Sequence, residues 1–140
     1  MKKLMTILIL LAASGAILSA CADGTSGSLK GTSWTLVSYG SKGNQIPAAP
    51  GIETSLNFGA DGQVSGNMGC NGFGGKYTLK DGKIIFSELM STMMACPEPQ
   101  MTQESISFQA MTGTVTYQVN GDTLMLYDAS GELALVLVRK

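Results

Sequence analysis

From Trp34 onward the chain alternates apolar and polar residues in short runs, and glycine-bearing turns separate them. Trp34 to Tyr39, Leu56 to Phe58, Gln63 to Met68, Lys76 to Leu79 and Lys83 to Phe86 read as strands, because a period of two turns one face of each toward a core. Thr114 to Val119, Thr123 to Tyr127 and Leu133 to Val138 form a second set. Asp61-Gly62, Asp81-Gly82, Asn120-Gly121 and Ser130-Gly131 fall at the turns, where glycine supplies the positive φ of tight hairpins. One stretch breaks this rhythm. Met101, Ser105, Phe108 and Thr112 recur at the helical period, flanked by Ile106 and Met111. With Pro97 and Pro99 at its start and Gly113 at its stop, the spacing predicts one helix over Glu98 to Met111. Gly40 to Gly51, which holds Pro47 and Pro50, reads as a long loop. The expected fold is mainly β: an antiparallel sheet of about eight strands, curled into a barrel or half-barrel over one helix.

The first 30 residues follow another pattern. Lys2 and Lys3 precede an apolar run from Leu4 to Ala13, and small residues lead to Leu18-Ser19-Ala20-Cys21. This is the layout of a secretory signal. The last four residues resemble the bacterial lipobox, which implies cleavage before Cys21 and a diacylglyceryl group on its thiol. An ordinary cleaved signal shares the earlier part of the pattern. A spanning helix fits it poorly, because a span needs roughly 20 apolar residues and Ser14 and Gly15 interrupt this run. Residues 1–20 are therefore expected to be a signal peptide and 21–30, rich in Gly, Ser and Thr, a flexible tether. Residues 31–140 form the domain. Ala22 after the cysteine resembles the outer-membrane sorting default, so the expected place is the periplasmic face of that membrane.

Composition narrows the function more than it suggests one. Taking Lys2 and Lys3 from the nine basic residues leaves seven against ten acidic, a net charge of −3. No basic cluster remains, so nucleic acid is excluded as a partner and membrane attachment would rest on the lipid. The chain has no histidine, which excludes Ser-His-Asp and Cys-His catalysis as normally built. Asp61, Asp81 and Asp122 sit in turns, where Asp is favoured for backbone reasons. Glu53, Glu88, Glu98, Glu104 and Glu132 show no paired spacing for acid–base work.

Two segments stand out beyond their strand pattern: Gly66-Asn67-Met68-Gly69-Cys70-Asn71-Gly72-Phe73-Gly74-Gly75-Lys76-Tyr77 and Ser91-Thr92-Met93-Met94-Ala95-Cys96-Pro97. Together they resemble the META domain, the fold of HslJ-type heat-shock lipoproteins. Gly69, Cys70, Asn71, Phe73, Gly75 and Tyr77 match the first part of that family's pattern. Thr92, Met94, Ala95 and Cys96 match the second, and Trp34 stands where the family's domain opens. The resemblance implies a small β-rich domain in a bacterial envelope or stress setting, with no general biochemical activity. It also gives Cys70 and Cys96 a role. In an oxidising compartment, with Cys21 taken by lipid, they are left as an even pair that fits a disulfide. Two buried free thiols are the alternative, and the absence of Cys-x-x-Cys argues against redox catalysis.

The glycines around Cys70 admit a phosphate-cradling loop, yet no Gly-Lys-Ser/Thr follows and the segment leads into a strand. They are expected instead to give positive φ, bulges and close approach at a tight corner, with Asn71 bonding local backbone. Met90, Met93, Met94 and Met101 cluster around Cys96, and Met68 lies near Cys70. Thioethers suit Cu(I), but they also fill irregular gaps under a small sheet, so no metal or other cofactor is expected. The resulting expectation is a monomeric, non-enzymatic envelope lipoprotein that supports stress tolerance through a binding surface. Its partners would be the membrane, through the lipid, and an envelope protein. The alternatives are a carrier of a small apolar ligand, lined by Trp34, Tyr77, Phe86, Phe108 and Tyr117, or a methionine-based copper module.

Overall fold

The computed structural model of the protein describes residues 28–140. The signal expected before Cys21, Cys21 itself and most of the tether expected after it lie outside the described residues. Among the described residues nine strands and one helix follow in chain order: β1 (Thr32–Ser41), β2 (Asn44–Pro47), β3 (Ser55–Phe58), β4 (Gln63–Asn67), β5 (Gly72–Lys80), β6 (Lys83–Ser91), α1 (Gln100–Ala110), β7 (Thr114–Asn120), β8 (Thr123–Tyr127) and β9 (Leu133–Arg139). All strand pairs are antiparallel. β1 pairs with β3 on one side and β9 on the other, so eight strands close into an up-and-down barrel. Closure removes the exposed edges that an open sheet would present.

β2 is the strand the sequence did not announce, since it lies within the stretch read as a loop. It pairs with Ser38–Ser41 of β1 alone, and only Gln45 among its residues is even half-buried. Backbone pairing holds it, so no apolar alternation marks it. The register of β1 against β9 slips between Leu36 and Ser38, which makes Val37 the extra residue of a bulge and turns it outward, 44% exposed.

The barrel interior is filled. Trp34, Leu56, Ile84, Val115, Leu124, Leu126, Leu135 and Leu137 are wholly buried, with Phe58 and Val64 nearly so. Phe58 meets the edge of Tyr77 at 5.0 Å and stacks on Phe86 at 6.3 Å. Burying such side chains contributes about 1.5–3 kcal/mol each. Leu29 is also wholly buried, and its carbonyl accepts bonds from the Thr32 backbone N–H and hydroxyl. Packing thus begins two residues before Gly31. The expected hairpin glycines Gly62, Gly82, Gly121 and Gly131 all have positive φ. At Asp81-Gly82 both residues do, 51° and 70°, as a two-residue turn between paired Lys80 and Lys83 requires.

The up-and-down course sorts the connections to two ends. At one end lie Leu29, the β3–β4, β5–β6 and β7–β8 turns, and the C-terminus, where the Lys140 backbone N–H donates to the Ser33 carbonyl. At the other lie the β4–β5 corner, the β1–β3 connection and the segment holding α1.

Helix α1 falls within the predicted span, but it buries a different face. Gln103, Glu104, Ser107 and Ala110 point inward, whereas Ser105 and Thr112 are exposed and Met101 and Phe108 only half-buried. The period that located the helix was not the one that packs. Hydrogen-bonding demands in the loops beneath select polar side chains there.

Candidate functional site

The two unusual sequence segments meet beneath α1. The β4–β5 corner, Met68 to Asn71, carries two successive backbone N–H groups, those of Cys70 and Asn71, and both donate to Glu104 Oε2. Asn71 Nδ2 donates to the other carboxylate oxygen, Glu104 Oε1, at 2.7 Å. Adjacent N–H groups pointing one way form a nest for an anion. The loop therefore does bind an anionic group, and that group is the helix's own carboxylate. Glu104 is only 6% exposed, so its charge is met by three N–H donors, the strong charge-assisted kind of bond.

Asn71 also reaches across to the second segment. Its Oδ1 accepts from the Thr92 hydroxyl at 2.9 Å and from the Met94 backbone N–H at 2.7 Å. Its Nδ2 also donates to the Met94 carbonyl at 3.2 Å. The amide thus acts as a strand partner for residue 94. The local-backbone role expected of Asn71 belongs to Asn67, whose Oδ1 accepts from Gly69 N–H at 2.8 Å and whose Nδ2 donates to the Cys70 carbonyl at 3.1 Å. A disulfide joins Cys70 to Cys96, with Cα atoms 6.0 Å apart and a sequence separation of 26.

Gln103 fixes the helix on a second side. It is wholly buried, its Oε1 accepting from Ala49 N–H at 2.7 Å and its Nε2 donating to the Met68 carbonyl at 2.8 Å. The Ser107 hydroxyl returns to the Gln103 carbonyl at 2.7 Å. Among the described residues every buried side-chain nitrogen or oxygen has a partner. A fully satisfied polar network fixes one geometry, and a partly satisfied one would be costly.

Of the glycines around Cys70, Gly69 and Gly75 act through space rather than through φ. Gly69, Gly72, Gly74 and Gly75 are not among the positive-φ residues, contrary to the sequence expectation. A Cβ on Gly69 would stand 2.5 Å from the Gln100 carbonyl and 3.1 Å from Glu104 Cβ, so only glycine lets the corner reach the helix. On Gly75 it would stand 2.8 Å from Leu89 Cδ2 and 3.0 Å from the Ser87 carbonyl, where the β5–β6 register slips.

Gly69, Cys70, Asn71, Thr92, Met94 and Cys96 thus converge, and Phe73 lies alongside with its ring 5.3 Å from that of Phe108, edge to face. Other pattern residues lie apart. Trp34 is core in β1, its indole N–H on the Thr32 hydroxyl at 2.7 Å and the Arg139 guanidinium 4.5 Å from its ring. Tyr77 donates to the Gly59 carbonyl at 2.6 Å, and burial, then the nearby Asp61 charge, push its phenol above the ordinary value. Ala95 is exposed at the surface. Gln103 and Asn67 were missed by sequence reasoning, which also left Glu104 without a task. A buried-face triplet of Gln, Glu and Ser on a weakly apolar helix was the available signal.

The methionines divide sharply. Met68 and Met111 are wholly buried, while Met90, Met93 and Met94 are 76%, 96% and 58% exposed. Among the described residues, no group of three or more His, Cys, Asp or Glu is placed to hold a metal ion. A 440 Å³ hollow beside Met90 is lined by Gly72, Phe73, Gly74, Ser91 and Thr92.

The chain as a whole has relatives. The sequence model of the META domain matches residues 27–140. The chain belongs to the META domain family. A protein from Burkholderia xenovorans, solved by NMR, shares the META fold of this chain with a TM-score of 0.67 at 27% identity, over 80% of this chain and 83% of that one. A second NMR structure matches at 0.60 and 21% identity, over 76% and 87%. The crystal structure of a DUF4847 family protein from Bacteroides vulgatus matches at 0.58 and 16%, over 76% and 91%. The last two likenesses show the fold alone. Among curated proteins none matches this META domain.

Proposed function

We propose that this META domain belongs to a non-enzymatic lipoprotein of the bacterial envelope, anchored through Cys21 at the periplasmic face of the outer membrane, and that it supports stress tolerance by presenting a binding surface. One observation carries the binding reading. The polar groups of the distinctive motif are spent on one another: Asn71 on Glu104, Thr92 and Met94, and the Cys70 and Asn71 N–H groups on Glu104. Facing outward at the motif and just before it are three large apolar side chains, Met90, Met93 and Met94, beside the uncharged Ser91 and Thr92. A brace that spends its polar groups internally and holds thioethers outward suits a domain that docks something.

The alternative, a carrier of a small apolar ligand, has one observation in its favour: the hollow beside Met90. Trp34, Tyr77 and Phe86, which would have lined an internal cavity, lie packed in the core.

The mass of the intact protein, extracted gently from its own membranes, tests both readings. A diacyl or triacyl increment on Cys21, with no further mass, supports the anchored docking domain. An unmodified Cys21 would overturn the anchor, and a stoichiometric small molecule that survives desalting would replace docking by carriage.

A further inference from the structure

The methionine ridge lies beside an unpaired stretch of strand. β7 pairs with β6 only from Lys83 to Ile85, and the Phe86 N–H reaches the Gly113 carbonyl at 2.9 Å. Beyond that point α1 departs, and Ser87 to Ser91 keep β5 on one side with no strand on the other. Ser87, Glu88, Met90 and Ser91 are exposed. The barrel wall is open here, with a bulge at Glu88, whose φ is 54°, and a free strand edge presents backbone donors and acceptors that fit another extended chain.

The chemistry around the edge is uniform. Met90, Ser91, Thr92, Met93, Met94 and Ala95 carry no charge, and the neighbouring Glu88 is taken by Lys76 at 2.8 Å. Unbranched thioethers adapt their shape to varied apolar side chains. The ridge is nonetheless held in place from behind, since Asn71 binds both backbone groups of Met94, Thr92 N–H donates to the Gly72 carbonyl at 3.1 Å, and Cys96 is tied to Cys70. Direction matters too. The chain enters the barrel at Leu29, at the end opposite the ridge, so an anchor at Cys21 would leave the ridge facing away from its own membrane.

We infer that the free edge of β6 and the ridge of Met90, Met93 and Met94 form a docking site for an extended, uncharged, apolar polypeptide segment, of the kind a partly unfolded envelope protein exposes. The segment adds a strand to Ser87–Ser91 and lays alternate side chains on the methionines and in the hollow over Phe73. A lipid surface would use the methionines but not the edge, and the edge decides between the two. The inference rests on the binding reading above and names its partner class.

The test uses the purified full chain and a fluorescent nine-residue peptide of alternating Val and Thr, followed by polarisation. Saturable binding is expected, about tenfold weaker when alternate peptide nitrogens are methylated on the edge-facing side, and about tenfold weaker for Met93→Lys. Met93 is 96% exposed, so this variant should keep the native circular dichroism, and Met90→Lys serves as a second variant. Phosphatidylcholine vesicles should not compete. No saturable binding, insensitivity to N-methylation, insensitivity to both variants, or competition by vesicles would each overturn the site. The assay needs no acyl chain, so its failure is separate from failure of the Cys21 anchor.

Discussion

The two ends of this barrel are stabilised by different chemistry. Toward the Leu29 end and through the wall, apolar side chains from opposed strands fill the interior, and Trp34, Phe58, Leu124 and Leu137 are all but inaccessible. At the α1 end the buried helix face is Gln103, Glu104 and Ser107, and hydrogen bonds to two loops replace apolar contact. The wall needs only hydrophobic residues of about the right size at alternate positions. The brace needs particular groups at particular atoms, because each buried donor left without a partner costs about 1–3 kcal/mol. Sequence variation should be absorbed easily by the first and poorly by the second.

Substitutions can separate the two kinds of stability. The largest loss belongs to the wall: Trp34→Ala should cost about 3–5 kcal/mol, read as a lower urea midpoint. It should leave the Cys70–Cys96 bond formed in the protein that still folds. Replacing both cysteines by alanine should cost about 3–4 kcal/mol through the added freedom of a 26-residue loop, and calorimetry can follow it. Asn71→Ala strands Met94 N–H and one Glu104 oxygen. It should cost about 2–3 kcal/mol, whereas Asn57→Ala, on the half-buried β3 position, should cost under about 1 kcal/mol.

Tyr77 gives a pH-dependent test of the wall. Its raised pKa means that the folded protein holds the phenol proton more tightly than the unfolded chain does. The stability it carries is complete below the ordinary tyrosine value of about 10 and is lost as pH rises through the folded-state value. Urea midpoints of the wild type and Tyr77→Phe should therefore converge in strongly alkaline solution. The smallest effect is expected on the ridge: Met93→Ser should shift stability by no more than about 0.5 kcal/mol, although it removes a docking residue.

The wall was legible in the sequence because alternation and turn glycines report it directly. Lys83 to Phe86 and Leu133 to Val138 fall inside β6 and β9, and the turn glycines have the φ they were chosen for. β2 was not legible, since an exposed strand held by backbone pairing leaves no apolar signature. The helix could be located but not oriented, because Met101 and Phe108 set the visible period while Gln103 and Glu104 set the buried one. The motif residues could be recognised together, yet Asn71's partners at positions 92, 94 and 104 depend on a closure that no local pattern encodes.

Glu104 fills the nest at the β4–β5 corner and locks the brace. Amide hydrogen exchange at Cys70 and Asn71 tests it most directly. Both N–H groups lie outside any strand ladder, so only the carboxylate protects them. The expected result is exchange as slow as that of the barrel wall in the wild type, with protection lost at these two amides alone in Glu104→Ala that remains folded. Rapid exchange at Cys70 and Asn71 in the wild type, beside a protected β5, would contradict the account.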